Sequence, residues 1–326
     1  MSGIATVFGA GGFLGRYIVR RLAQQGWRVR AAVRDPNLAL FLRPYGTVGQ
    51  VEPVACNIRT ADSVARMVTG ADLVINCVGI IAPKGPNTFQ AVHVDAAGQI
   101  ARLARAAGVA RLVHISALGA RADAPSDYQR SKAAGEAAVL AAFPSAVILR
   151  PGLMFGRDDH IFNRLAGMAR MLPVLPLVGG ATRVQPVWVD DVAAAATNMD
   201  AAPGVYPLAG PQVVSLHELA QDVLDVTRQP KRIVMMPEGL ARTGAAVAET
   251  LGRISFGVLP VPVTRDQLLM LADDNVADAA LGAGGFAPFG ITPTPYGVVL
   301  PEYLWRFRPA GQFTAIRESA QRLKSR

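Results

Sequence analysis

Tyr128 and Lys132 stand four residues apart in DYQRSKAAGE, and on a helix residues at i and i+4 share a face. A lysine ammonium beside a tyrosine hydroxyl favours the phenolate and lowers its pKa, which lets a protein move protons to a carbonyl or from an alcohol near neutral pH. The chain has 6 Tyr and 4 Lys in 326 residues, so composition alone would give roughly 0.07 such pairs. Ser116, twelve residues before Tyr128, closes the apolar run ARLVHIS. A hydroxyl there can hold a substrate oxygen in line with Tyr128; the competing reading is a strand-end turn hydroxyl.

The opening supplies what such a pair would work with. IATVF at 4–8 is an apolar run of strand length, and GAGGFLGRYIVRRLAQQG follows at once with Gly9, Gly12 and Gly15 spaced three apart. Gly9 permits the tight turn, Gly12 lets the backbone approach a pyrophosphate, and Gly15 lets helix pack on strand. The helix opens at Phe13 and Leu14, so its N-terminus faces the phosphates, and Leu14, Ile18, Val19 and Leu22 form its apolar stripe up to Gln25 and Gly26. RVRAAV at 28–33 delivers Arg34 where such a fold meets the adenosine ribose. Arginine there suits the 2′-phosphate of NADP(H) over the free hydroxyls of NAD(H), with Arg16 in support. In the competing reading Asp35 takes the ribose and both arginines are solvated surface charge. With a nicotinamide cofactor bound, Lys132 would hydrogen-bond its ribose.

The elements that position these groups can be read from periodicity. Apolar strand-length runs recur at 51–56, 71–79, 110–116 and 145–152 with helix-like segments between them. That alternation predicts an α/β fold with a doubly wound parallel sheet of Rossmann type. After Pro151 the pattern becomes irregular and proline-rich at 173–186, 258–262 and 286–301. The expected organisation is a dinucleotide-binding domain at 1–152 and a smaller substrate-side lobe at 153–326, interleaved with the sheet around 184–210 and ending in a basic tail at 307–326. Hydrophobic residues make up 51% of the chain and charged residues 17%, ample for a packed core.

Several function classes receive no support. Cys56 and Cys77 have no metal-ligand spacing and His93, His114, His160 and His217 are scattered, so no metal is expected and buried thiols are the better reading. The uncharged stretch from Ala279 to Pro301 carries five Gly and four Pro, which would break a membrane-spanning helix. No leader of signal-peptide form precedes the first strand, so a cytoplasmic location is expected. The net charge of +9 could favour an anionic lipid surface, an acidic partner or an acidic substrate, or be a solvated arginine surface. No motif supports nucleic-acid binding.

Taken together, GAGGFLGR, VINCVG, HIS, YQRSK and LRPGLMFG resemble the short-chain dehydrogenase/reductase superfamily in its extended or atypical branch, over about residues 3–210. Within it, VHVDAAGQIARLARAAGVARLVHISALGA, RSKAAGE, RPGLMFGRDDHIFNRLAGM and VQPVWVDDVA look most like the dehydrogenase-fold accessory subunit of respiratory complex I and its bacterial relatives. That resemblance implies a tightly held NADPH with a structural or assembly role among complex I subunits, peripheral on the inner membrane. The alternative is a working NADPH-dependent reductase or epimerase acting on a small carbonyl, sugar-nucleotide or quinone-like substrate. The superfamily pattern carries catalytic roles onto Ser116, Tyr128 and Lys132. It carries cofactor contacts onto Gly9, Gly12, Phe13, Leu14, Gly15, Arg16, Arg34, Asn57, Ile58, Asn76, Val78, Gly79, Tyr128, Lys132, Pro151 and Gly152, with Asn76 to Gly79 as the floor under ribose and pyrophosphate. Two residues depart from it. Asn57 stands where many relatives place an aspartate for the adenine amino group. His93 stands where many catalytic relatives have asparagine, and a bulkier, titratable ring there argues against turnover; the competing reading is a core histidine with satisfied hydrogen bonds.

Overall fold

The computed structural model describes residues 3–237, 239–241, 243–244, 264–277, 285–309 and 311–313. Six parallel strands form where the apolar runs predict them: β1 (Ile4–Phe8), β2 (Arg28–Val33), β3 (Val51–Ala55), β4 (Leu73–Asn76), β5 (Arg111–Ile115) and β6 (Val147–Pro151). Between them lie α1 (Phe13–Gln24), α2 (Ala61–Val68), α3 (Ala96–Ala106) and α4 (Asp127–Ala142). Beyond β6 come β7 (Met154–Phe155), α5 (Ile161–Met171), β8 (Val174–Leu177), β9 (Arg183–Val184), β10 (Val187–Trp188), α6 (Val189–Ala196), β11 (Gly204–Leu208), β12 (Val214–Ser215), α7 (Leu216–Thr227) and β13 (Arg232–Met235).

The main sheet has seven strands in the order β11-β6-β5-β4-β1-β2-β3, all parallel. Strand order reverses between β1 and β4, the switch point at which doubly wound sheets bind ligands. The seventh strand, β11, is not visible as a strand in the sequence because GVYPL carries Pro207 and is embedded in APGVYPLAGP. It is an edge strand that, among the described residues, pairs only with β6, where a missing N–H costs no ladder bond. Pro53 is accommodated the same way in β3, the opposite edge.

Both faces of the sheet are covered. On one, α1 and α6 pack together and bury Ile18, Val19, Leu22, Val189, Val192 and Tyr206. On the other, α2, α3 and α4 cover Val64, Met67, Ile100, Ala104, Val139 and Ile148. Ile18 and Leu22 are fully covered, and each such side chain contributes about 1.5 to 3 kcal/mol. The lobe beyond β6 has its own core around Phe155, Phe162, Leu219, Val223, Leu300 and Tyr303, contributed by α5, α7 and a helix at Tyr296–Leu304. The proline-rich stretch 258–262, residues 279–284 and the basic tail beyond Phe313 lie outside the described residues. Among the described residues no helix is long and apolar enough to cross a membrane.

Candidate active site

Because the sheet is parallel, residues that follow its strands gather along one edge. Gly9 follows β1, Arg34 follows β2, Asn57 and Ile58 come two and three residues after β3, Asn76 ends β4 with Val78 and Gly79 just beyond, Ser116 follows β5, and Pro151 and Gly152 close β6. The sequence-predicted cofactor and catalytic positions therefore converge on the carboxyl edge.

The glycine turn has the geometry of a phosphate cradle. Gly9 takes φ +81°, a conformation that a side chain disfavours. A Cβ on Gly15 would stand 2.2 Å from Gly9 O, so α1 can lie this close to the turn only with glycine there. A Cβ on Gly12 would meet only Gly9 O, at 3.2 Å, and otherwise open space. Helix α1 has no side-chain cap and no acid in its first turn, which leaves its N-terminal N–H groups for an anion. These features fit a dinucleotide pyrophosphate. Leu14 itself is a core residue, so only its backbone can reach a ligand, and Phe13 stands edge-on to Tyr17, ring centroids 6.2 Å apart.

Around the ribose positions, Asp35 Oδ1 accepts from Asn37 N–H at 2.9 Å, while Arg34 is exposed beside it. Arg16 pairs with Asp158 at 2.8 Å and lies 4.9 Å over the Phe41 ring. Asn57 Oδ1 accepts from Arg59 N–H at 3.1 Å, and Ile58 O accepts from Gln99 Nε2 at 3.0 Å. The side chain of Asn76 turns inward: Oδ1 accepts from Val78 N–H at 3.1 Å, and Nδ2 donates to His114 Nδ1 at 3.1 Å. Asn76 thus shapes the turn that carries Val78 and Gly79 from behind it. Burial drives His114 well below its usual pKa, consistent with a neutral ring that accepts from Asn76. His114 lies in the HIS motif, yet only the fold reveals its pairing with Asn76.

Helix α4 carries Tyr128 and Lys132 and is tied down at several points. Ser126 Oγ accepts from Gln129 N–H, and Asp266, 138 residues away from Tyr128, accepts from Ser126 Oγ–H at 2.9 Å, Asp127 N–H at 2.7 Å and Tyr128 N–H at 3.1 Å. Deeper in, buried Glu136 takes a bidentate ion pair from Arg150 on β6, at 2.9 and 2.6 Å. A Cβ on Gly135 would fall 2.1 Å from His93 O, so α4 sits directly against the backbone of the segment Gln90–Asp95. That segment is a π-helical turn, a form that recurs at functional sites.

His93, only 2% exposed, uses both ring nitrogens. Nε2 lies 3.0 Å from Ile80 N–H and must accept. Nδ1 therefore holds the proton and donates to Ser131 Oγ at 2.8 Å, and Ser131 passes the direction on to Tyr128 O at 2.7 Å. The ring stacks on Phe89 and meets Tyr128 edge-on at 5.5 Å. Burial, with the Lys132 charge adding to it, depresses its pKa to about 3. His93 is a neutral core histidine joining the Ile80 turn to the Tyr128 helix.

One expectation is corrected. Lys132 does not lower the Tyr128 pKa in this arrangement: burial raises Tyr128 to about 12, and Lys132 Nζ donates to Ile115 O at 2.8 Å. Burial lowers Lys132 to about 8, with Glu136 opposing the shift. At neutral pH the helix thus presents a protonated phenol near an ammonium, a proton donor rather than a base. Ser116 N–H is held by Leu149 O at 2.7 Å, whereas its buried Oγ has no hydrogen-bond partner among the described residues. Buried hydroxyls are nearly always paired, so this one has a bond to give to a ligand.

A profile described as the NAD dependent epimerase/dehydratase family matches residues 5–204. The chain belongs to that family. As a member of the epimerase/dehydratase family it falls within the short-chain dehydrogenase/reductase superfamily. It is 36% identical over 320 residues to the mitochondrial NADH dehydrogenase [ubiquinone] 1 alpha subcomplex subunit 9 of Arabidopsis thaliana, covering 94% of this chain and 79% of that protein. It is also 36% identical over 294 residues to the ceramide reductase of Caulobacter vibrioides, covering 89% and 91%. The fold is that of gox2253 (TM-score 0.70, 22% identity, 95% and 99% covered) and of the Bordetella bronchiseptica enzyme WbmG in complex with NAD (TM-score 0.67, 16% identity, 94% of each chain). Among the described residues no group of three or more His, Cys, Asp or Glu could hold a metal ion.

Proposed function

We propose that this epimerase/dehydratase-family chain binds NADP(H) and reduces a carbonyl. The observation that carries the reading is the buried Ser116 Oγ, unpartnered among the described residues, one residue beyond the Ile115 carbonyl to which Lys132 is anchored. NADPH, when bound, supplies the hydride for the carbonyl carbon. Ser116 Oγ–H donates to the carbonyl oxygen and holds it. Tyr128 gives that oxygen its phenolic proton as charge develops there. The site residues Gly9, Gly12, Gly15, Arg16, Arg34, Asn76 to Gly79, Pro151 and Gly152 would hold the cofactor. NADP(H) over NAD(H) is supported by Arg34, exposed for a 2′-phosphate, and by Asp35, whose carboxylate already accepts from its own turn. His93 does not oppose this reading, because its ring is neutral and bonded at both nitrogens.

A second reading is supported by the mitochondrial relatives, which are named as subunits of NADH dehydrogenase. In it the chain is an accessory or assembly subunit of respiratory complex I, cytoplasmic and peripheral on the inner membrane, with the cofactor mainly structural and the basic charge facing anionic lipid. Cells in which Tyr128→Phe replaces the native residue separate the two. The reductase reading predicts the deletion phenotype at normal protein level and normal bound NADPH, because one hydroxyl is lost and the ring packing kept. Wild-type behaviour, with the protein co-migrating with respiratory subunits from native membranes, would overturn it in favour of the accessory role.

A further inference from the structure

Buried polar atoms without partners are rare in folded proteins, and where they gather they mark a place at which a ligand completes the bonding. Among the described residues four side chains have such atoms. Arg111 lies at the amino end of β5. The other three, Ser116 Oγ, Gln129 Oε1 and Asn275 Oδ1, belong to residues just past β5, on α4, and beside Gly152 just past β6. Ser116 follows β5, and Gln129 comes within 2.5 Å of a Cβ placed on Gly119 in the loop between β5 and α4. A Cβ on Gly152, just past β6, would stand 3.5 Å from Asn275 Oδ1 and 3.6 Å from Leu118 Cδ2, and Leu118 N–H donates to Pro151 O at 3.0 Å.

Asn275 is placed beside Gly152 through its backbone. Its N–H donates to Arg183 O at 2.8 Å, its carbonyl accepts from Gln185 N–H at 3.2 Å, and the residue forms a parallel bridge with Val184. Flanking contacts fix the same strap: Arg183 pairs with Asp274 at 2.7 Å, and Gln185 Oε1 accepts from Ala277 N–H at 3.0 Å. The side chain of Asn275 is therefore not needed to hold the strap in place. Its oxygen is buried beside the β6 terminus without a hydrogen-bond partner among the described residues.

We propose that Asn275 orients the nicotinamide, its Oδ1 accepting a hydrogen bond from the carboxamide NH₂. The inference rests on the reading that the carboxyl edge holds NADP(H), and it adds a contact from a segment 123 residues beyond Gly152 that no glycine motif or strand end points to. The carboxamide is a double N–H donor and Oδ1 is a bare acceptor, so each satisfies the other. The bond fixes which way the ring lies, and hence which of its faces meets Ser116 and Tyr128.

The test compares the full-length chain's affinity for NADP⁺ with that for its 3-acetylpyridine analogue, in which a methyl group replaces the carboxamide NH₂. Calorimetry on the native protein should show NADP⁺ bound about fivefold to tenfold more tightly, the size of one hydrogen bond to a buried acceptor. Asn275→Ala should bind both equally, by weakening only the NADP⁺ arm. Asn275→Asp keeps the acceptor and should keep the preference, which guards against a general loss of folding. Native protein that fails to distinguish the two dinucleotides, or Asn275→Ala protein that still does, overturns the proposal. Failure of the native chain to bind NADP⁺ at all would instead refute the dinucleotide reading on which it rests.

Discussion

Burial sets the protonation of each member of the catalytic helix face. With Tyr128 raised to about 12 and Lys132 lowered to about 8, a neutral solution holds phenol and ammonium together, the pair suited to reduction. His93 supplies a separate pH prediction. Its folded pKa of about 3 lies below the usual 6.5, so between those values the unfolded chain binds a proton that the folded chain refuses. That contribution to stability is present above pH 6.5 and is lost as pH falls toward 3, at up to ~1.4 kcal/mol per pH unit. His93→Asn should therefore flatten the dependence of urea-unfolding free energy on pH between 6 and 4 by about one proton, while His114 keeps a slope of its own. An unchanged slope would mean that His93 is already protonated or exposed. Tyr128, Lys132 and Ser116 were legible in the sequence because their spacing is local. The direction of the Tyr128 shift was not, since it depends on how deeply α4 is covered, and neither were the bonds of His93, which run to Ile80 and Ser131.

Helix α4 is the element on which the site depends, and its start is fixed by a residue from far along the chain. Asp266 caps Asp127 and Tyr128 from a short helix, Arg265–Met270, itself closed by a Thr264 and Gln267 capping box. Losing such a cap typically costs about 1 to 2 kcal/mol. Asp266→Ala should lower the unfolding free energy by that much, whereas Asp266→Asn, which keeps a side-chain oxygen, should recover most of it. Equal stability of the alanine variant and the native chain in denaturant titrations would show that Ser126 alone is cap enough. Such a contact is invisible to periodicity, because helix rules read neighbours three or four residues apart. The same limit hid β11, in which Pro207 reads as a breaker until the strand is known to be an edge. By contrast, the first six strands and α1 carry their own signal: each strand is an apolar run bounded by turn residues, and α1 shows a stripe of Leu14, Ile18, Val19 and Leu22 behind a glycine turn.

At the scale of the whole molecule, one geometric fact organises the site. Seven strands run the same way, so residues separated by more than a hundred positions meet at one edge, with α1 offering an uncapped N-terminus and α4 a proton donor. The lobe beyond β6 adds what the sequence left least legible, a strap at 264–277 that reaches back to α4 through Asp266 and to β6 through Asn275. Arg34 stands at the outer end of the same edge, and the central claim of NADP(H) binding is tested most directly there. Calorimetric titration of the purified chain with NADPH and with NADH, repeated on Arg34→Ala, is the decisive measurement. A charge-assisted phosphate contact is worth roughly 1.5 to 3 kcal/mol, so NADPH should bind about one to two decades more tightly than NADH, and Arg34→Ala should remove most of that difference. Equal affinities for the two cofactors in the native protein would contradict the account.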